Sequence, residues 1–380
     1  MVYLDNASTK QLSNDMKEYL ISLLDVYGNP SSLHFLGVKS HNIVEDARRK
    51  VAEFIHVNTN DVYFTSGGSS SNTLGIKGFC ERNNCVIFYS PTVHKSILNL
   101  IDSKTIRNRK ISLNVDNDGF IDLVDLEQKI IGTKPFVVIE CANSEIGTIQ
   151  DIKKIIDLVH FYKGIIYIDC TGSIPTIPLD VKALDVDILG FSAHKLGALK
   201  GCGVLYKKKS IELEPLIYGT QEYGLVGGTE NVLGIASLGK VIENYDYSSI
   251  NSKGRDYLYD CMKKFISDCY LVGAQIDSGR RLPHNLYMCF KNIEGESLMI
   301  LLDMNGIQVS TGSACSSGNL SMPTTLSAIK MNENDIHSCI RITLSGNETK
   351  DELFYAYKKI KESVEHLRGL TYTDSFHTRR

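Results

Sequence analysis

The chain has 380 residues, 43% of them hydrophobic and 22% charged, with a formal net charge of −3. That length exceeds one ordinary core of roughly 100–200 residues, so at least two lobes are expected. No apolar run approaches the ~20 residues a membrane helix needs, and the near-balanced charge leaves no electrostatic footprint for nucleic acid, so binding to either is not expected.

Taken from its N-terminus, the chain opens MVYLDNASTK, which has no basic stretch followed by an apolar one; no export signal is read and a cytoplasmic location is expected. Strand patterns follow at 61–65, 85–89, 136–140, 165–169, 186–191 and 202–206, each apolar enough to be covered on both faces and separated by helical patterns. The fold class is therefore α/β, a three-layer domain with a mainly parallel sheet. The basic stretches Lys104–Lys110 and Lys207–Lys209 lack interleaved aromatics and read as solvated surface. After residue 250 the pattern shifts to a long helical stretch, runs at 284–291, 307–310 and 340–345, and a charged helix at 348–368. Residues 14–250 are assigned to the large domain, and residues 1–13 with 251–380 to a smaller α+β domain. The tail beyond Arg368 is expected to fray.

Chemistry concentrates in a few segments. Strand 61–65 runs into Ser66, Gly67, Gly68, Ser69, Ser70 and Ser71, a turn whose backbone N–H groups at a helix start suit a phosphate, although Ser and Gly also serve as plain caps. Asp169 ends strand 165–169, where open α/β sheets hold ligands and where a carboxylate can pair with a heterocyclic nitrogen. Ser192, Ala193, His194 and Lys195 follow strand 186–191; Ser and His can bind phosphate oxygens while the lysine amine can form a Schiff base. The ten cysteines include no CxxC pair, which argues against a disulfide framework or a bound metal and for small buried thiols. Cys315 is the exception, in the Ser/Gly-rich stretch STGSACSSG. An ordinary thiol of pKa near ~8.5 is a few per cent thiolate at neutral pH, so a nucleophilic Cys315 needs a neighbour to take its proton.

The sequence resembles the cysteine desulfurases of the NifS/IscS type, within the class V aminotransferase group of pyridoxal-5′-phosphate (PLP) enzymes. The resemblance runs through YLDNAST at 3–9, NPSSLHFLG at 29–37, FTSGGSSSN at 64–72, NSEIGTIQDI at 143–152, SAHKLGALKGCGVLY at 192–206, GGTEN at 227–231, STGSACSSG at 310–318 and IRITLS at 340–345. It implies a PLP-transferase-like large domain and a reaction that converts L-cysteine to L-alanine. It further implies that Lys195 holds PLP, that Asp169 faces the pyridine nitrogen, and that His94 lies over the ring and moves protons. Gly68, Ser69, Ser192 and His194 fall at the phosphate, and Thr229 matches a phosphate ligand supplied by a neighbouring subunit, which implies a homodimer. Arg341 matches the clamp on the substrate carboxylate and Ser144 borders the substrate. Cys315 takes the sulfur as a persulfide and hands it to an acceptor protein. The acceptor stays open, among an iron–sulfur scaffold and thio-modification systems of tRNA or DNA. Rival readings are a selenocysteine lyase or another PLP lyase or aminotransferase on the same fold, and a weakly active sulfur-relay scaffold.

Four places depart from the family pattern. Ser69, Ser70 and Ser71 stand for Thr-Glu-Ser, Ser144 for the second Asn of Asn-Asn-Glu, Gly172 for a Gln, and Val226 for an Arg. The missing Asn and Gln imply altered tuning of the cofactor and a specialised sulfur donor. The losses are expected to raise the pKa of the internal aldimine and slow the substrate step unless a partner protein or a repositioned Asn143 compensates, and Gly172→Gln is the variant that tests this.

Overall fold

The computed structural model describes residues 1–312 and 323–377, so Cys315 lies outside the described residues. In chain order the elements are β1 (Val2–Tyr3), α1 (Asn14–Ser22), α2 (Phe35–Phe54), β2 (Val62–Thr65), α3 (Gly68–Arg82), β3 (Val86–Tyr89), α4 (Lys95–Asp102) and β4 (Arg109–Ser112). Then come α5 (Leu123–Ile130), β5 (Pro135–Glu140), α6 (Ile152–Phe161), β6 (Ile165–Asp169), α7 (Val181–Leu184), β7 (Ile188–Ser192), β8 (Gly203–Lys207) and α8 (Val232–Glu243). The remainder comprises α9 (Lys253–Phe265), β9 (Cys269–Leu271), β10 (Asn285–Phe290), α10 (Gly295–Met304), β11 (Ile307–Gln308), α11 (Thr324–Ala328), β12 (Cys339–Thr343) and α12 (Lys350–His377).

Among the described residues, seven strands form a sheet in the order β2-β8-β7-β6-β5-β3-β4. β8 runs antiparallel to both neighbours, and β7, β6, β5, β3 and β4 are mutually parallel. Strand alternation explains the layers. On β5, Val137 and Ile139 point into the core shared with α2, α5, α6 and α8, whereas Phe136 and Val138 point into the core under α3 and α4. Burial on both faces is what a run such as FVVIE encodes. Local signals start the helices, since Asp122, Asp151 and Asn231 each accept a backbone N–H from the first turn of α5, α6 and α8.

A third core gathers Leu258, Leu286, Phe290, Ile340, Ile360 and Val364 around the antiparallel sheet β12-β10-β9. The N-terminus joins that part of the molecule. β1 pairs with β11, and Asn6 Nδ2 donates to the Thr343 carbonyl at 2.9 Å. The basic stretch after α4 holds an unexpected strand, β4, whose Arg109 and Lys110 mark an exposed sheet edge of the charged kind that resists further pairing. The tail does not fray at Arg368: α12 continues to His377. Among the described residues no helix is long and apolar enough to cross a membrane.

Candidate active site

β5, β6 and β7 end side by side, and the last residues of β5 and β6, Glu140 and Asp169, are in register. Above them lies a cavity of about 120 Å3, lined from α3 by Gly68, Ser69 and Asn72, from the start of α4 by His94, and from the strand ends and their loops by Glu140, Ala142, Ser144, Asp169, Thr171, Gly172, Ser192, His194 and Lys195. The carboxyl ends of parallel strands are where an open α/β sheet leaves room for a ligand.

At one side the chain turns from β2 into α3 through Gly67, with φ of +150°, a conformation that favours glycine. The first N–H groups of this 15-residue helix have no intrahelical acceptor and carry the positive end of its dipole. Gly68 keeps the approach open, because a Cβ there would lie 3.0 Å from Thr171 Oγ1 and 3.3 Å from Ser192 Cβ. Thr171 Oγ1 is buried without a hydrogen-bond partner, an arrangement that asks for a ligand atom. His194 Nδ1 lies 3.1 Å from Thr9 Oγ1, and burial, with Lys195 and Lys200 adding, lowers its pKa to about 4. The ring is therefore neutral at physiological pH.

The floor is a connected polar chain. Asp169 Oδ1 accepts from the Thr171 N–H at 2.8 Å and Oδ2 from Asn72 Nδ2 at 2.8 Å. Asn72 also donates to Ser96 Oγ at 3.0 Å and accepts from the buried Tyr167 hydroxyl at 2.6 Å. Ser96 Oγ lies 2.8 Å from His94 Nδ1, which also accepts the Ser96 N–H at 3.1 Å. That backbone donor leaves Nε2 as the protonated nitrogen of the neutral ring. The protein around His94 pushes its pKa below the ordinary value, Lys195 adding and Asp169 and Glu145 opposing. Lys195 is enclosed more deeply. Burial and then Arg341 lower its pKa to about 8 against the opposing charges of Asp169, Asp5 and Glu140.

Other expected residues lie elsewhere. Arg341 stands outside the cavity lining, with Nη2 on Asp5 at 2.8 Å and on Ser8 Oγ at 2.6 Å, and Nη1 3.3 Å from the Ser144 carbonyl. Its Nε is buried without a partner. Ser144 borders the cavity, and its carbonyl is the acceptor for Arg341. Thr229 is exposed, away from the cavity of its own chain. Val226 packs half-buried against the core under α3 and α4.

The surroundings of two of the departures are closely packed. At Gly172 a Cβ would meet the Ala142 carbonyl oxygen at 2.7 Å and Ser144 Cβ at 3.3 Å, so the neighbouring loop fills the space a Gln would need. Asn143 does not substitute, because Nδ2 is committed to the Thr92 carbonyl and Glu140, and Oδ1 accepts the N–H groups of Glu145 and Ile146.

Asn72, Ser96, Tyr167, Thr171 and Glu140 were not anticipated. Asn72 was within reach, since four residues after Gly68 it shares that glycine's helix face. Glu140 carried the same strand-end signal as Asp169.

The aminotransferase class-V family model matches residues 2–355. The chain belongs to the class V aminotransferase family. This class V chain is 36% identical to the "Cysteine desulfurase IscS" of Dictyoglomus turgidum over 97% of its own length and 96% of that protein's. It is 34% identical to the "Cysteine desulfurase IscS 1" of Archaeoglobus fulgidus, over 98% and 99% of the two chains. The solved NifS-like protein of Rickettsia africae superposes with a TM-score of 0.87 at 30% identity, covering 96% of this chain and 99% of that one. Class V aminotransferases and cysteine desulfurases depend on PLP. The residues present fit that cofactor, given the partnerless Thr171 hydroxyl, the approach Gly68 leaves open, and an amine and a carboxylate facing one cavity.

Proposed function

We propose that this class V family member is a cysteine desulfurase, converting L-cysteine to L-alanine and leaving the sulfur as a persulfide on Cys315 for transfer to an acceptor protein. The observation that carries the reading is the convergence of Lys195, Asp169 and His94 on a cavity that opens at the N-terminus of α3. Near-full-length relatives named cysteine desulfurase support it.

When bound, PLP supplies the electron sink that makes the Cα–H and Cβ–S bonds of cysteine breakable. This chain's residues then divide the work. The free N–H groups at Gly68 and Ser69, with Ser192, neutral His194 and the Thr171 hydroxyl, would hold the phosphate. Asp169, fixed by Asn72 and Thr171, would pair with the ring nitrogen and favour its protonated form. Lys195 is the attachment amine, and its lowered pKa leaves an appreciable uncharged fraction at neutral pH. His94 holds a proton on Nε2 at the cavity wall, where it can exchange it with substrate atoms. Arg341, braced by Asp5, lies beside the Ser144 carbonyl and supplies the positive charge for the substrate carboxylate. In the transfer itself the Cys315 thiolate bonds to the substrate sulfur as the Cβ–S bond breaks with its electron pair left on carbon, and the proton given up by the Cys315 thiol ends on Cβ, so that cysteine and one thiol become alanine and one persulfide.

Residues 14–250 carry the cofactor pocket in this reading, and residues 1–13 with 251–380 carry Asp5, Arg341 and Cys315. The exposed position of Thr229 supports its service to the cavity of a second copy in a homodimer. The nine free described cysteines support a reducing, cytoplasmic setting. The test is direct: purified protein with PLP and L-cysteine should yield alanine and sulfide in equal amounts with a reductant present. Absence of alanine from folded, PLP-loaded protein would overturn the reading, and preference for selenocysteine would transfer it to the lyase.

A further inference from the structure

Glu140 ends β5 with its carboxyl at the cavity floor, one strand from Asp169 and only 6% exposed. Among the described residues its hydrogen-bond partner is a neutral group, the Asn143 amide at 2.7 Å, with the neutral Thr92 hydroxyl nearby. The charged groups that face it are the carboxylates of Asp169 on β6 and Glu145 on the following loop, with Lys195 and the titratable His94 across the cavity. A carboxylate buried beside two others, without a contacting cation, is better accommodated as the neutral acid. Its partner Asn143 does more than donate this hydrogen bond. Through Oδ1 it pins the N–H groups of Glu145 and Ile146, and so fixes the loop that carries Ser144.

We propose that Glu140 is a positioning residue that serves this site as a neutral acid: it anchors loop 143–146 through Asn143 and leaves Asp169 to set the charge seen by Lys195 and by the cofactor. The inference rests on the PLP reading for the cofactor, and on geometry alone for the carboxyl. Burial, with Asp169 and Glu145 adding to it, pushes the Glu140 pKa up to about 8 against the opposing hydrogen bonds. Protonated Glu140 can still accept from Asn143 through its carbonyl oxygen, and it gains an O–H to donate. Ionised Glu140 would raise the proton affinity of the Lys195 amine that must be uncharged to react.

Infrared titration of the PLP-free protein against Glu140→Gln tests the protonation. A carboxylic-acid carbonyl band should be present in the wild type at pH 7, vanish as pH rises through about 8, and be missing from Glu140→Gln. Its absence from the wild type at pH 7 overturns the proposal without touching the PLP reading. Cofactor affinity tests the positioning: Glu140→Ala should weaken PLP binding about tenfold or more at pH 7, and the neutral isostere Glu140→Gln should restore it to within about threefold. A folded Glu140→Gln protein as weak as Glu140→Ala would mean that the ionised carboxylate is required, and overturns it. Heat stability supplies a readout that loss of a contact alone would not move. An acid whose folded pKa is raised contributes stability that is fully present below its unfolded value of about 4.3 and lost as pH rises through about 8. Glu140→Gln should therefore gain on the wild type between pH 5 and pH 9; a difference independent of pH overturns the proposal. Failure of the wild type to bind PLP would sink the PLP reading and leave the infrared result to judge Glu140.

Discussion

Asn72 donates to Asp169 at 2.8 Å from the same face of α3 that carries Gly68 at its start. One helix thus presents a phosphate-ready N-terminus and steers the carboxylate expected to meet the ring at the other end of the cofactor. The spacing between the two is set by one turn of helix, about 5.4 Å.

Asn72→Ala should therefore do two kinds of damage. It removes a donor from Asp169 and strips the buried Tyr167 hydroxyl of its acceptor, costing about 1–3 kcal/mol. PLP affinity should fall with it. Calorimetry and a fluorescence titration check both losses, and an unchanged melting temperature would contradict the network described here.

Lys195→Ala should leave no borohydride-fixed pyridoxyl group on the chain, while non-covalent PLP binding persists through the phosphate contacts. In the wild type, covalent capture of PLP should speed up with rising pH, with a midpoint near the Lys195 pKa of about 8, whereas an ordinary lysine would place it near ~10.4. Mass spectrometry of the reduced adduct reads both; fixation at another lysine would show that the attachment amine is misassigned.

Cys315→Ser should bind PLP and L-cysteine with the spectral changes of the wild type but release no alanine, because only the sulfur acceptor is missing. A drop of at least about a thousandfold in alanine formation is expected for a group that acts only in the transfer step. Normal alanine production would place the acceptor thiol elsewhere.

Gly172→Gln should lower stability instead of restoring a cofactor contact. Its Cβ would press on the Ala142 carbonyl at 2.7 Å, and overpacking of this sort costs about 1–3 kcal/mol. Thermal unfolding and the visible pH titration of the holoprotein measure the two effects separately. A variant of undiminished stability with a shifted spectrum would revive the expectation drawn from sequence.

The sheet was legible because each central strand is a short, doubly apolar run, and the place of Asp169 and Lys195 at the cavity was legible because one ends such a run and the other lies in the turn after one. β4 was not, since edge strands lack the burial that produces the pattern, and RKIS reads as surface. Glu140 was passed over for a different reason. An acid at a strand end invites attention only when a motif follows it, and its meaning comes from Asn143 and Asp169, which three-dimensional pairing alone brings to it. The crowding at Gly172 was not legible, because the approach of the 142–144 loop leaves no trace in local composition.

The pairing of the first strand with the C-terminal part of the chain bears on how the protein is made. Asn6 and Thr343, joined by a hydrogen bond, are 337 residues apart in sequence. At 5–20 residues per second a ribosome needs on the order of 20–70 s to supply the second partner after the first. For most of that interval, until β11 is made, β1 has no strand partner, while the central sheet and the Lys195 pocket can already assemble. Asp5 and Arg341 meet only late in synthesis, so the ion pair that braces the arginine proposed for the substrate carboxylate forms through an event of high contact order.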